Sequence, residues 1–321
     1  MSLGSNIKKL RYKLNLSQQE LADLMGYKSR TTIAKIEAGE NDVSYAKIQK
    51  FAKVLNTTFE TLIAGTENTI YEVLDNNYIY NQVQKKQGNK NVVIILAAGK
   101  SVRNYQNIPN QFIQILNKPV ISYCLEAYQA HPSIDDIYIV CLKGWENIVS
   151  SYANQYKISK LKKIITGGNT GIESIYLAFN EIKNEYKKED IIIFQESTRP
   201  LITVDTISNL LQVCTLNGSA TICHSMRDYV QFSVNKYGTK YLNRDFIVDL
   251  QSPEAHSFGR IEDVFKKAIL QQHPMKESCC TLLMQNLGYK INFVEVDFNN
   301  IKIIRQEDIA IATALLKYKR I

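Results

Sequence analysis

The sequence predicts an α/β protein that carries a separate all-α head at its amino end. Residues 6–65 hold closely spaced apolar patterns of helical period, whereas residues 91–321 alternate short apolar runs with helical patterns. Alternation of strands and helices is typical of a mostly parallel sheet covered by helices on both faces. A chain of 321 residues suits about two domains, and 45% apolar with 22% charged residues is an ordinary globular composition.

Composition also narrows the class of protein. The sequence has no apolar run of the ~20 residues that a membrane-spanning helix needs, and its amino end lacks the apolar core of a signal peptide. The six cysteines are scattered without CxxC spacing, as is typical of reduced thiols in a cytosolic protein. We therefore expect a cytoplasmic protein with no membrane partner.

The net charge of +8 is concentrated at the amino end. Residues 1–66 hold ten Lys and Arg against six Asp and Glu, a net charge of +4 on a fifth of the chain. An excess of basic residues in a small domain indicates nucleic acid as a partner, although a solvated lysine face is the simpler explanation of charge alone.

The head is predicted to contain five helices. The first carries apolar residues at helical spacing, and the second begins at the capping box Ser17-Gln18-Gln19-Glu20 and ends at Gly26. Ser29 is placed to start the third helix, which ends at Gly39. Two further apolar segments predict a fourth and a fifth helix, over residues 46–55 and 59–63.

Two short helices joined by a tight turn form a helix-turn-helix. The segment LSQQELADLMGYKSRTTIAKIEAGE resembles the Cro/Xre-type repressor DNA-binding domain. The resemblance implies that the helix from about Arg30 to Glu37 enters the major groove of a double-stranded DNA operator. It also implies these DNA-contacting residues: Gln18, on a backbone phosphate, with Arg30, Thr31, Thr32 and Lys35. A protein-interaction module with an ordinary polar face is the alternative.

A polar segment follows the head. Residues 66–90, TENTIYEVLDNNYIYNQVQKKQGNK, are rich in Asn, Gln, Lys and Tyr and lack a sustained apolar period. This composition is typical of a short helical turn followed by a linker. The predicted domains are a helix-turn-helix domain over 1–66, a linker over 67–90 and a second domain over 91–321.

Six strands and six helices are predicted in the body. The strands are Val92–Leu96, Ile137–Leu142, Ile164–Thr166, Ile191–Phe194, Ala220–Cys223 and Ile291–Val296. The helices lie near 119–130, 172–186, 203–214, 261–271, 277–286 and 306–319. Such sheets bind ligands at the carboxyl ends of their strands.

The first strand runs directly into LAAGKSVRNYQNIPNQF, residues 96–112. Small residues at Ala97, Ala98 and Gly99 let a phosphate approach the backbone N–H groups, and Arg103 follows at a spacing that lets it fold over that phosphate. A loop of small residues alone is a weak signal, because many strand–helix turns use glycine.

Four further segments strengthen this interpretation: ITGGNTGIESIYLAF (165–179), IIFQESTRP (192–200), LNRDFIVDLQSPEAHSF (242–258) and NNIKIIRQEDIAIATALL (299–316). Together they resemble the cytidylyltransferases that activate methylerythritol phosphate or ribitol phosphate with CTP. The resemblance covers essentially all of 91–321 and implies a Rossmann-like nucleotidyltransferase fold with a mostly parallel mixed sheet. It further implies Mg²⁺ as cofactor, pyrophosphate as product and a homodimer formed through a projecting β-arm, which the Tyr, Phe and Val residues of 225–250 suit.

The resemblance assigns roles to individual positions. The implied nucleotide-binding residues are Ala97, Ala98, Gly99, Arg103, Gly167, Gly168 and Ser174. The implied polyol-phosphate ligands are Asp228 and Arg244, the implied catalytic cations are Arg103 and Lys302, and the implied metal ligand is Glu196. Arg199 matches the end of a family segment at the same site. Surface or packing arginines are the alternative reading of Arg199 and Arg244.

Several positions depart from the family pattern. A family lysine is replaced by Asn110 and a family arginine by Gly171, while an acidic segment is replaced by Ser278–Leu282, which holds no carboxylate. The family's His-Asp pair is Gln195-Glu196, and Tyr229 stands where a threonine is expected. Removal of one charge-stabilising donor typically lowers the rate by about 10²–10³. The pattern therefore predicts a body that binds its ligand better than it converts it.

Three functions are compatible with these residues. The first is a DNA-binding transcriptional regulator whose body senses CTP, a CDP-polyol or a sugar-alcohol phosphate, with weak or absent turnover. The second is a bifunctional protein, an active cytidylyltransferase with a DNA-binding head. The third is a scaffold in which both parts have lost their ligands. The substitutions predict that replacing Asn110 by Lys and Gly171 by Arg together raises turnover.

Overall fold

The computed structural model describes residues 3–14, 16–41, 43–55, 57, 62, 88–101, 104, 108–226, 230–235, 238–244, 247–297 and 299–318. The chain divides into two compact units, Met1–Glu72 and Val73–Ile321, which are described separately below. The boundaries predicted at residues 66 and 91 stay predictions. Within the described segments, no helix is both long enough and apolar enough to cross a membrane.

Four helices of the first unit are described: α1 (Leu3–Lys13), α2 (Gln18–Met25), α3 (Arg30–Ala38) and α4 (Tyr45–Val54). The predicted capping box is present, because the Ser17 hydroxyl accepts from the Glu20 N–H and the Glu20 carboxylate accepts from the Ser17 N–H. Gly26 ends α2 in the left-handed region, at φ 75°. The predicted fifth helix lies outside the described residues except for Leu62, which is buried.

The core of this unit is built from the inner faces of the helices. Fully buried side chains include Leu21 on α2, Ile33 on α3 and Phe51 on α4. Burial of side chains of this size stabilises a fold by about 1.5–3 kcal/mol each. The polar faces of α2 and α3 face solvent, as the apolar spacing predicts.

The second unit is built on a seven-stranded sheet with the strand order β11-β7-β10-β6-β1-β4-β5. Only β10 runs antiparallel to its neighbours among these strands, so the sheet is mostly parallel, as predicted. The strands are β1 (Asn91–Ala97), β4 (Asp136–Cys141), β5 (Leu161–Thr166), β6 (Ile191–Glu196), β7 (Ser219–Ser225), β10 (Val248–Ser257) and β11 (Phe293–Glu295).

Helices cover both faces of this sheet. The described helices are α5 (Val120–Ala130), α6 (Glu146–Gln155), α7 (Gly171–Ile182), α8 (Val204–Asn217), α9 (Phe258–Leu270), α10 (Cys280–Asn286) and α11 (Gln306–Tyr318). On β1, Val93 and Ile95 pack into the apolar cluster with α5, α6 and α8. Val92 and Ile94 point the other way, into the cluster with α7, α9 and α10. The continuous apolar run of β1 thus reflects burial on both faces.

Two small antiparallel pairs and two 3₁₀ turns complete the described unit. They are β2 (Gln114–Ile115) with β3 (Lys118–Pro119), β8 (Gln231–Asn235) with β9 (Gly238–Leu242), and the turns Asn110–Phe112 and Lys183–Glu185. The β8–β9 hairpin confirms the β-arm predicted within 225–250. Strand β10 and helix α6 were not among the predicted elements.

Candidate functional site

The carboxyl ends of β1, β4, β5 and β6 lie at one edge of the sheet, because these four strands run parallel. The registers place Leu96 beside Glu196 and Ala97 beside Cys141. The small-residue loop after β1 and the end of β6 therefore meet at the same edge. This is where an open α/β sheet binds its ligand.

The loop after β1 is held by a side chain from farther along the chain. The buried Gln111 amide donates to the carbonyl of Ala97 at 2.8 Å and to that of Gly99 at 2.9 Å. These bonds fix the carbonyl groups of the predicted phosphate-binding loop. Sequence reasoning did not assign this role to Gln111, and Arg103 lies outside the described residues.

The turn after β5 contacts this loop directly. A Cβ added at Gly167 would lie 2.3 Å from the Cβ of Ala98, so only glycine allows the two segments to approach this closely. The buried Ser174 hydroxyl accepts from the Gly168 N–H at 3.0 Å and fixes the turn at the start of α7. The structure thus brings two predicted nucleotide-binding segments together.

An ion-pair cluster lies at the end of β6. The Lys302 ammonium contacts Oε1 of Glu196, and the Arg199 Nε donates to Oε2 at 2.8 Å. The Arg199 guanidinium is buried and also donates to the carbonyl of Asn300 at 2.7 Å. Burial raises the pKa of Glu196, but the charges of Lys302 and Arg199 outweigh it, so the pKa lies below its ordinary value. The cluster carries a net positive charge.

Asn110 has a structural role in this fold. It is 3% exposed, and its amide donates to the carbonyls of Ile303 at 3.3 Å and Ile304 at 3.0 Å. Its Oδ1 accepts from the Asn104 amide at 2.8 Å. The residue that replaces the family lysine therefore ties the loop after β1 to the segment that follows Lys302.

Gly171 lies against backbone as well. A Cβ at this position would be 2.5 Å from the carbonyl oxygen of Ser278. The sequence predicts faster turnover when Asn110→Lys is combined with Gly171→Arg. The structure corrects this prediction, because Asn110 is buried and hydrogen-bonded and Gly171 has no room for a side chain. The backbone around Ser278 occupies the space that an arginine at 171 would need.

A buried carboxylate that sequence reasoning missed lies beneath this segment. Glu254 of β10 accepts from the N–H groups of Cys280 at 2.9 Å and Thr281 at 2.7 Å, and from the Thr281 hydroxyl. Burial raises the pKa of Glu254, but the facing His256 ring, 3.6 Å away, and these bonds outweigh it and leave the pKa lowered. Glu254 therefore caps the start of α10 from β10.

The residues present do not form a ready metal site. Both oxygens of Glu196 are engaged by Lys302 and Arg199, and no group of three His, Cys, Asp or Glu suited to a metal occurs in the segments that the structure describes. The role of Glu196 as metal ligand stays a prediction.

Of the two predicted polyol-phosphate residues, the structure describes only Arg244. Arg244 is exposed in the segment between β9 and β10. Asp228 and Tyr229 lie outside the described residues. The structure therefore brings together the nucleotide loop, the turn after β5 and the Glu196 cluster, and gives no geometry for a complete polyol site.

In the head, the predicted DNA-contacting residues cluster around the start of α3. Arg30, Thr31 and Lys35 are exposed, while Thr32 is half-buried. The Gln18 amide donates to Glu37 at 2.9 Å, so its side chain packs between α2 and α3. Glu37 is held in turn by Arg11, whose Nε lies 2.6 Å from the carboxylate in a buried ion pair that sequence reasoning missed.

Comparisons with known proteins agree with this architecture. Residues 91–318 match the family IspD, 2-C-methyl-D-erythritol 4-phosphate cytidylyltransferase, and residues 7–62 match a helix-turn-helix family. A ribitol-5-phosphate cytidylyltransferase of Lacticaseibacillus paracasei is 29% identical over 71% of this chain and 98% of the relative. A 2-C-methyl-D-erythritol 4-phosphate cytidylyltransferase of Clostridium tetani is 32% identical over 71% of this chain and 91% of its own length.

Solved structures match the fold of the second unit. The crystal structure of 4-diphosphocytidyl-2C-methyl-D-erythritol synthase from Anaerococcus prevotii aligns with a TM-score of 0.62 at 20% identity, covering 72% of this chain and 97% of that one. The Francisella tularensis 2-C-methyl-D-erythritol 4-phosphate cytidylyltransferase aligns at 0.57 with 24% identity, covering 70% and 99%.

Proposed function

Since the chain belongs to the 2-C-methyl-D-erythritol 4-phosphate cytidylyltransferase family and carries an amino-terminal helix-turn-helix domain, we propose that it is a DNA-binding transcriptional regulator. Its body binds CTP, a CDP-polyol or a polyol phosphate and acts as the sensor. The helix α3 contacts operator DNA through Arg30, Thr31 and Lys35. A cytoplasmic location belongs to the same proposal.

The main support for this proposal is the burial and hydrogen bonding of Asn110. A cation between the attacking phosphate and the α-phosphate would stabilise the charge that develops in transfer, but Asn110 is neutral, buried and bonded to the backbone of 303–304. A second cation is missing at Gly171, where backbone fills the space. Loss of one such donor lowers a rate by about 10²–10³. We therefore expect turnover at least about a hundredfold below that of a relative with these cations.

The binding parts of the site support the sensor role. Gln111 fixes the loop of 97–99, Ser174 fixes the Gly167–Gly168 turn, and the two segments meet where Ala98 packs against Gly167. Backbone N–H groups in such loops bind phosphates without any contribution from the substituted positions. Binding energy of this kind lowers a dissociation constant and leaves the chemical barrier unchanged.

An active cytidylyltransferase with a DNA-binding head is the second candidate. The convergence of Lys302, Arg199 and Glu196 at the end of β6 favours it, because charge stabilisation is the main task in nucleotidyl transfer. In that reading CTP and methylerythritol or ribitol phosphate give a CDP-polyol and pyrophosphate. A divalent cation, if bound with the nucleotide, would neutralise charge on its phosphates, and Glu196 is the residue predicted to hold it.

A homodimer is part of the proposal. Helix-turn-helix repressors read two half-sites about 34 Å apart, so two heads are needed for one operator. The β8–β9 hairpin offers the means, because it exposes the apolar side chains of Phe232, Val234 and Tyr241. Large apolar side chains grouped on an exposed hairpin are typical of a contact surface.

Two measurements on the full chain test the function. Calorimetric titration with CTP and with CDP-ribitol is expected to show binding, and pyrophosphate release with ribitol phosphate or methylerythritol phosphate is expected to be very slow. Turnover at an ordinary enzymatic rate of about 1–10 per second would favour the bifunctional candidate. Absence of nucleotide and polyol-phosphate binding would favour the scaffold and end the sensor proposal.

A further inference from the structure

We propose that Glu196 is an internal counter-anion for Lys302, and that a phosphate group of the incoming ligand replaces Glu196 as the partner of that lysine. The ligand class is therefore one with a multiply charged phosphate or pyrophosphate group. This inference rests on the proposed function, since it concerns the same site. Glu196 then excludes ligands that carry too little negative charge to replace it at Lys302.

The ion pairing of Glu196 is complete without a ligand. Oε1 contacts the Lys302 ammonium and Oε2 accepts from the Arg199 Nε at 2.8 Å, so both carboxylate oxygens are engaged. The Lys302 side chain is 38% exposed, whereas that of Arg199 is 9% exposed. A ligand can therefore reach Lys302, while Arg199 stays behind as the residue that orients Glu196.

The Arg199 guanidinium and the backbone next to Lys302 are held in place independently of the carboxylate. The Arg199 Nη1 donates to the carbonyl of Asn300 at 2.7 Å, and the Ile303 N–H donates to the carbonyl of Thr198 at 2.9 Å. These bonds join the segment of Lys302 to the turn after β6. Exchange of the lysine partner thus needs only side-chain rotation at Glu196 and Lys302.

The backbone of Glu196 is fixed as well. Its N–H donates to the Ser252 hydroxyl at 2.7 Å, at the carboxyl end of β6 beside β1. The carboxylate is therefore presented at the same strand end as the loop of 97–99. A phosphate bound by that loop would lie near a lysine that already has a negative partner.

The charges of the two competing anions determine which of them pairs with Lys302. A terminal phosphate or pyrophosphate carries more charge than one carboxylate and offers three acceptor oxygens, so it competes well for an ammonium group. The internal pair must be broken first, which weakens ligand binding. Removal of the Glu196 charge should therefore strengthen phosphate binding, whereas removal of an ordinary ligand-contacting residue would weaken it.

The test is calorimetric titration of the full chain with inorganic pyrophosphate in metal-free buffer. Glu196→Gln keeps an amide oxygen for Arg199 and is expected to bind pyrophosphate about tenfold more tightly than the wild type. Glu262→Gln is the matched control, because it removes an exposed partner of Lys266 on α9, and it is expected to leave the affinity unchanged. Equal or weaker binding by Glu196→Gln would overturn the inference.

A double-mutant cycle with Lys302→Gln separates the loss of the Glu196–Lys302 pair from a general effect of the more positive net charge of Glu196→Gln. In the wild type Lys302 must leave Glu196 before it pairs with the ligand, so its loss should weaken pyrophosphate binding, but less than the same loss does in the Glu196→Gln background. In the Glu196→Gln background the same loss should abolish the tenfold gain. A gain that persists without Lys302 would refute the exchange.

The outcome is separable from that of the proposed function. If CTP fails to bind the wild type while Glu196→Gln gains pyrophosphate affinity through Lys302, the sensor role falls and the counter-anion role stands. If CTP binds and the cycle shows no coupling, the sensor role stands and the counter-anion role falls. Should Glu196→Gln not fold, Glu196→Ala tested in the same cycle gives the same expected sign.

Discussion

Glu254 shows how one buried charge contributes to this fold. Its carboxylate accepts from the N–H groups of Cys280 and Thr281, and its pKa is lowered in spite of burial. A lowered pKa in the folded state adds stability above the unfolded pKa, which lies near 4.3 for glutamate, and that stability is lost as pH falls through the folded pKa. We predict that Glu254→Gln destabilises the protein by about 1–3 kcal/mol at pH 7.

The measurement is thermal unfolding of both proteins at pH 7 and between pH 3 and 5. The difference in melting temperature should shrink at acidic pH, because the wild type loses the charged form of Glu254 there. Glu189→Gln serves as control, since that side chain is exposed at the surface. A difference that stays constant across the pH range would show that Glu254 acts by shape and not by charge.

Asn110→Lys tests whether the missing cation can be restored. The substitution removes the bonds to the carbonyls of Ile303 and Ile304, so we predict a loss of about 1–3 kcal/mol in stability and no rise in turnover. Chemical denaturation and pyrophosphate release measure the two effects. Asn147→Lys, the same exchange at an exposed position of α6, should change neither. Faster turnover with unchanged stability would contradict this account.

Residues of the site differed in how far the sequence could predict them. The position of Ala97, Ala98 and Gly99 at the end of β1 was predictable, because small residues directly after a buried strand have a local signature. Gln111 and Glu254 were not, since their roles depend on partners 14 and 27 positions away that only the fold brings close. A polar residue that is buried by tertiary contacts has no distinctive pattern in the sequence.

The same difference appears for whole elements. The parallel strands β1, β4 and β6 were predicted from their continuous apolar runs, which reflect burial on both faces. Strand β10 was missed, because it contains Pro253 and the three buried polar residues Gln251, Glu254 and His256. Helix α6 was missed as well, since its Ser and Asn residues have low helix propensity and packing supplies its stability.

Helix α3 is the element on which DNA affinity should depend. We predict that Lys35→Ala weakens binding of the full chain to duplex DNA and lowers the slope of log K against log salt by about one. Arg30→Ala should cost about 1–3 kcal/mol if the arginine reads a guanine. Fluorescence anisotropy over a range of salt concentrations measures both.

Lys290→Ala is the matched control, because that lysine is exposed on the second unit. It should leave the salt dependence unchanged. Unaltered DNA binding by both head variants would exclude α3 as the recognition helix.

The β8–β9 hairpin is the element that should hold two copies together. Phe232 is 55% exposed and Val234 is 73% exposed on this hairpin. We predict that replacing both by Ser converts a dimer into a monomer at micromolar concentration, because the apolar contact is lost. Light scattering reads the mass directly. Leu270→Ser, at an 83% exposed position on α9, should remain dimeric. A wild type that is already monomeric would refute the dimer proposal.

At the scale of the whole molecule, the sensor proposal is a statement about coupling between two binding events. A ligand changes DNA affinity only if it binds the DNA-competent and DNA-incompetent states with different affinity. The effect must be reciprocal, so DNA changes ligand affinity by the same factor. A nucleotide site without fast chemistry suits a regulator, because ligand binding alone is then what changes its DNA affinity.

The last prediction follows from this reciprocity. Operator affinity of the full chain, measured by anisotropy on a duplex selected from a random pool, should change by about 5–150-fold when CTP or CDP-ribitol is saturating. Calorimetry with and without that duplex should show the same factor in ligand affinity. Gly167→Val provides the control, because a side chain there would collide with Ala98 in the predicted nucleotide site. That variant should bind DNA as the ligand-free wild type does and should not respond to nucleotide. Equal DNA affinity of the wild type with and without either ligand would show that the body does not regulate the head, and the two units would then be joined without allosteric communication.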